Sequence, residues 1–198
     1  MTLEDVKNIV GLFFTGQMSA DIFSTAYQDG ELKLFFQRYA EQDFESLRMF
    51  SRVMGDGTPP LYVTDGIADI PEDYFAIEGG YHKVSGKPWR INFIDDRTFD
   101  KLVTHKIEFP TIEYPVGNVQ ANYIRIRPFS IRFVTFSYFV KPSPVKYATT
   151  SARGFTEFDT AASSKVMWNE ANVVTLIQNI LQSFNIKVNQ SDIKSKVK

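Results

Sequence analysis

Two histidines, His82 and His105, are the side chains of this chain whose ordinary pKa suits proton transfer near neutral pH. Neither sits in an HxH or HxxxH spacing, and the chain has no cysteine, so metal ligation has little to build on. The plainer reading of each is a hydrogen-bonded or solvated histidine. Asp65, Asp69, Glu72 and Asp73 fall close together and could gather a hard cation. The spacing of a calcium-binding loop is missing, however, and Asp65-Gly66 is explained by turn chemistry alone. Asp95-Asp96 reads as a helix cap. There is no Walker loop and no GxGxxG, and Gly79-Gly80 reads as a bulge or strand break. Ser163 and Ser164 lack the GxSxG elbow of a serine hydrolase. These patterns assign no catalytic residue, no cofactor and no metal.

What remains is cationic. Arg125, Arg127 and Arg132 are interleaved with Tyr123, Phe129 and Phe133, a pattern that suits stacking and phosphate contact. The whole chain carries a net charge of −1, which favours the plainer reading of a strand with one wet face. Charge is nonetheless segregated. Residues 1–57 hold nine acids against five bases, whereas no acid occurs between Glu113 and Glu157. The bases in that interval are Arg125, Arg127, Arg132, Lys141, Lys146 and Arg153. An acidic helical end and a basic β end can attract each other within a chain or between copies; the alternative is two solvated faces.

The elements that carry these residues follow from periodicity. Thr2 caps a helix over 3–14 with Val6, Ile9, Val10 and Phe13 on one stripe. Ser19 caps a second helix that Asp29-Gly30 stops, and a third runs from about Glu31 to Val53. GDGTPP at 55–60 is a loop. Strands at 74–84 and 89–94, joined by a Ser85-Gly86-Lys87-Pro88 turn, form a hairpin expected to project from the core sheet. A short helix with Phe99, Leu102 and Val103 follows. Phe109 to Pro115 is extended, because each residue before a proline is driven out of the α region. The longest β run is Tyr123–Pro142, read as two strands meeting at Pro128 and together forming the core sheet. Residues 143–166 read as an irregular arm. Asn169 caps a last helix with Val173, Leu176, Ile177, Ile180, Leu181 and Phe184 on one stripe. The tail SDIKSKVK is expected to fray.

The order of helices, strands and one helix is α+β: a helical layer, a mostly antiparallel β region with a projecting hairpin, and a C-terminal amphipathic helix. A length of 198 residues fits one domain, divided into a helical layer (1–57), a β-rich region (61–142), an arm (143–168) and the last helix (169–186). The helical stripes are expected to pack on the β region. An aromatic share of 15%, with eighteen phenylalanines, is ample for a core. The N-terminus lacks the basic start and apolar core of a signal peptide, and no apolar run is long enough for a membrane span, so no membrane partner is expected.

An ordered series of motifs then stands out: Ile70-Pro71-Glu72-Asp73-Tyr74, Pro110-Thr111 with Pro115, Tyr123-Ile-Arg-Ile-Arg-Pro128, Tyr138-Phe-Val-Lys-Pro142 with Pro144, and Trp168 before a helix that closes on Asn185-Ile186. In this series the chain resembles small virion proteins of tailed phages of Bacteroidetes hosts, the crAss-like group: neck adaptor or ring proteins that connect head to tail. The resemblance covers most of the chain from about residue 65 and departs at 154–166, where a more regular approach to the last helix is usual. It implies a ring between portal and tail of about twelve copies. The implied partners are the portal, other neck or tail proteins and the double-stranded DNA passing the lumen. The implied location is the virion, assembled in the host cytoplasm. It brings no catalytic residue and no cofactor. Subunit contacts are expected at Phe109, Pro110, Tyr114 and Pro115 and along the arm at Lys141, Lys146 and Arg153, while Arg125, Arg127 and Arg132 are expected to meet either a neighbouring subunit or DNA. The competing reading is a small nucleic-acid-binding module or enzyme that uses the Arg125, Arg127, Arg132 face.

Overall fold

A computed structural model describes residues 1–14, 16, 18–105, 109–152 and 155–197. The fold is α+β, as the order of elements implies. In the first part come α1 (Leu3–Gly11), α2 (Ala20–Ala40), α3 (Phe44–Leu47), β1 (Ser51–Met54), β2 (Leu61–Tyr62) and β3 (Ile67–Asp69). Then come β4 (Tyr74–Val84), β5 (Lys87–Arg90), β6 (Asn92–Phe93), α4 (Asp96–Thr104), β7 (Val116–Val119), β8 (Tyr123–Arg127) and β9 (Phe133–Val140). The chain closes with β10 (Thr149–Ala152), β11 (Phe155–Phe158), α5 (Glu170–Ser183) and α6 (Gln190–Lys194). Contacts divide these elements into two compact units, Met1–Met49 with Lys141–Lys198, and Phe50–Val140.

In the first unit the helical stripes close on one another. Thr2 and Asp5 form a reciprocal capping box, and Leu3, Val6, Ile9 and Val10 are buried. α2 is one helix where the sequence reads two, because Asp29-Gly30 does not stop it. Gly30 is buried, and a Cβ there would lie 2.9 Å from Ile180 Cγ1. The glycine is therefore a close-approach point for α5 rather than a terminator. The true end of α2 comes at Gln42, in the left-handed region with φ 58°. Asp43 N donates to Arg38 O at 2.9 Å and Gln42 N to Tyr39 O at 3.1 Å, a Schellman closure built without glycine. The long helix expected to run to Val53 thus ends early, and residues 51–54 are a strand instead.

α5 follows the sequence closely. The side chain of Asn169 accepts from Asn172 N, and Val173, Leu176, Ile177, Ile180 and Leu181 are buried. Asn185, with φ 60°, ends it, and Ile186 N donates to Leu181 O at 3.0 Å. The tail does not simply fray, since Ile193 is fully buried and holds α6. The arm is more ordered than an irregular loop. Val145 N donates to the Gln28 side chain at 2.7 Å and Tyr147 N to the Ser24 hydroxyl at 3.1 Å. β10 and β11 then pair as a hairpin, and the Phe158 ring packs against Tyr147, tilted, with ring centres 4.8 Å apart.

The second unit holds two sheets. One runs β1-β9-β4-β5, with β2 also on β9; the other runs β3-β8-β7-β6. All pairings are antiparallel except β6 with β7. The two strands flanking Pro128 therefore do not make one sheet, as the sequence reading had it: β8 belongs to one and β9 to the other. β9 is covered on both faces only towards its end. It alternates at first, with Phe133 exposed and Val134 buried, and both faces are buried only from Tyr138 to Val140. The 74–94 hairpin is rooted in the sheet, because β4 pairs with β9 from Tyr74 to Tyr81. Its loop, Ser85-Gly86, has φ 50° and 80°, the two positive values of a two-residue type I′ turn. Beyond β5 the chain passes Ile91, which is buried, and enters the other sheet as β6.

Candidate interaction surfaces

The arginine strand is largely occupied from within. Asp95 caps α4, accepting from Thr98 N at 3.0 Å and the Thr98 hydroxyl at 2.6 Å. These bonds hold its carboxyl below the usual range. Four residues apart on α4, Asp96 and Asp100 share a face. Arg125 reaches both, with NH2 donating to Asp96 at 2.6 Å and NH1 to Asp100 at 3.0 Å. Its Nε adds a bond to Asn118 Oδ1 at 3.3 Å, and the guanidinium lies 4.5 Å over the Phe99 ring. The charge of Arg125 is thereby neutralised by its own unit, and the residue ties β8 to α4.

Arg127 lies on the same face of β8. Its NH1 donates to Ile126 O at 2.8 Å and Gly66 O at 3.4 Å, and its guanidinium packs 3.8 Å from the Phe129 ring centre. Its Nε is buried without a hydrogen-bond partner, and burial together with the Arg125 charge lowers its pKa. Arg132 precedes β9, beside the other sheet, and is exposed with no ion pair among the described residues. The three arginines thus split into two anchored residues and one with no ion pair among the described residues. Glu41 and Glu45, two acids of the helical end, are paired with Arg38 at 2.8 Å and Arg48 at 3.9 Å in their own helices.

The proline-bounded segment is a well-anchored loop. Pro110 and Pro115 are buried, while Phe109 is 48% and Tyr114 75% exposed. Tyr114 N donates to Thr111 O and to its hydroxyl, both at 3.2 Å. His82 is buried, and its Nε2 lies 2.6 Å from Ile112 O, so that nitrogen carries the proton and fastens the loop to β4. Its role is that of a tether. Along the arm, Lys141 and Lys146 are exposed, and Lys146 N donates to the Ser164 hydroxyl at 2.9 Å. Arg153 lies outside the described residues.

Sequence reasoning missed a buried acid. Glu31 is 3% exposed on α2 and accepts from Trp168 Nε1 at 3.1 Å. Burial pushes its pKa up to about 7, against the pull of the Trp168 bond. The Tyr27 hydroxyl, one turn earlier, is buried without a partner, and burial plus the Glu31 charge hold its pKa far up. The signal was present in the i, i+4 spacing of Tyr27 and Glu31 on an apolar stripe. Among the described residues no group of three or more His, Cys, Asp or Glu could hold a metal ion, and no helix is long and apolar enough to cross a membrane. Asp73 of the acidic run instead accepts from the Tyr138 hydroxyl at 2.9 Å. No protein-family model matches this chain, and no curated protein is significantly similar to it.

Proposed function

We propose that the chain is a virion structural protein that forms a ring in the neck of a tailed phage, between portal and tail, and leaves a passage for DNA. The motif series in the sequence is the origin of this reading. The observation that carries it furthest is the Phe109–Pro115 loop: two aromatic rings stand in solvent on a backbone fixed by two buried prolines and by His82. An ordered loop that exposes aromatic side chains is preorganised for a partner surface.

The competing reading, a nucleic-acid module on the Arg125, Arg127, Arg132 face, loses support from the pairing of Arg125 with Asp96 and Asp100. A phosphate contact there would have to displace two carboxylates. Light scattering on the purified chain, combined with DNA binding measured across a salt series, tests the choice. A cyclic oligomer with weak DNA affinity agrees with the neck reading; a monomer with a steep salt slope supports the alternative.

A further inference from the structure

Two features of unlike chemistry stand out in the two units. In the first, α2 and the end of α5 border an open groove of about 390 Å³ lined by Asp21, Ile22, Thr25, Asp29 and Phe184. Ile22 is 48% exposed between the two aspartates, and neither carboxylate has an ion pair among the described residues. In the second unit, Tyr62 and Phe133 form a cross-strand pair, edge to face at 5.5 Å, and both are more than half exposed, at 62% and 57%. Arg132, exposed and unpaired, is the next residue.

We infer that the aromatic knob of Tyr62 and Phe133, with Arg132, docks into the Asp21–Asp29 groove of a second copy of this chain. The inference rests on the ring reading and names the contact that would repeat around it. The groove's volume is that of a binding cleft, Ile22 and Phe184 give it apolar lining, and Asp21 and Asp29 add two negative charges with no ion pair among the described residues. The knob offers apolar rings, and Arg132, adjacent to Phe133 in sequence, offers a positive charge, opposite in sign to the two aspartates. Like surfaces repel: groove against groove brings four carboxylates together, and knob against knob brings two guanidinium groups together. Only the unlike pairing is favourable, and its head-to-tail repetition from copy to copy is the kind of contact that closes into rings. It also covers an exposed aromatic pair that a solitary chain leaves in water.

The chain has no cysteine of its own, so introduced thiols report without background. Thr25→Cys is made in one full-length preparation and Thr64→Cys, at an exposed position two residues from Tyr62, in another; the two are mixed, light scattering gives the mass of the assembly, and after treatment with a short bismaleimide intact-mass spectrometry separates mixed from like-chain products. The expected product is the mixed dimer, in excess of the half that random pairing gives. Arg132→Glu added to the Thr64→Cys chain is expected to abolish it, and Asp29→Arg added to the Thr25→Cys partner is expected to restore it. Products dominated by like chains, or no covalent product, overturn the contact. A ring detected by mass without the mixed product removes this contact alone; a strictly monomeric mass without product removes the ring reading with it.

Discussion

Glu31→Gln tests the buried polar cluster of the first unit through the pH dependence of stability. The carboxyl is raised from 4.5 to about 7 by burial, a difference worth about 3 kcal/mol. The folded chain keeps the proton longer than the unfolded one, so between those pKa values the native state binds more protons. Stability from this group is therefore full below pH 4.5 and is lost as pH rises through about 7. Gln resembles the protonated acid and keeps an oxygen for Trp168 Nε1–H, so the variant carries no such loss. Urea unfolding followed by Trp168 fluorescence, in a Trp89→Phe background, gives the free energy of this unit at each pH. The two proteins should be nearly equal at the acidic end, and the variant should be more stable by up to about 3 kcal/mol at the alkaline end. Taking the difference cancels the other acids, including Asp5, Asp43 and Asp95, whose lowered pKa values act in the opposite sense at low pH. Parallel curves for the two proteins would refute the assignment.

Three further outcomes follow from packing and exposure. Leu176→Ala and Ile180→Ala each remove a fully buried side chain, and each should cost about 2–5 kcal/mol in denaturant unfolding. Gly30→Ala places a methyl 2.9 Å from Ile180 Cγ1 and should cost about 1–3 kcal/mol despite the better helix propensity of alanine; a stabilised variant would disprove the close approach. Tyr114→Ala should leave thermal unfolding of the isolated chain within about 0.5 kcal/mol, since the ring is 75% exposed, while lowering the yield of assembled particles.

The parts of the fold that the sequence made legible are those governed by local rules. Asn169, the apolar stripe of α5 and the Asn185-Ile186 closure are all decided within a few residues of one another, and all three stand as read. The cap at Asp95-Asp96 is of the same kind and falls on Asp95, and the turn after β4 stands at its first two residues, Ser85-Gly86, while Lys87 and Pro88 already belong to β5. The misses have tertiary causes. Gly30 looks like a stop until Ile180 is seen against it, and Gln42 ends α2 in a conformation usually marked by Gly or Asn. The assignment of β8 and β9 to separate sheets depends on partners far away in sequence, β3 for one, β1 and β4 for the other. The surfaces followed the same division. Exposure of Phe109 and Tyr114 followed from prolines that fix the local chain, whereas the capture of Arg125 by Asp96 and Asp100 needed α4 to be laid beside β8. The groove at Asp21 and Asp29 needs Ser183 and Phe184, at the far end of α5, to be laid beside α2, a juxtaposition that local periodicity does not contain.

The central claim is a ring, and averaged images of the assembled phage particle test it most directly. The expected result is a closed ring on the particle axis between portal and tail, with about twelve copies of this chain related by rotation. A single off-axis copy, or density for the chain only outside the neck, would contradict it.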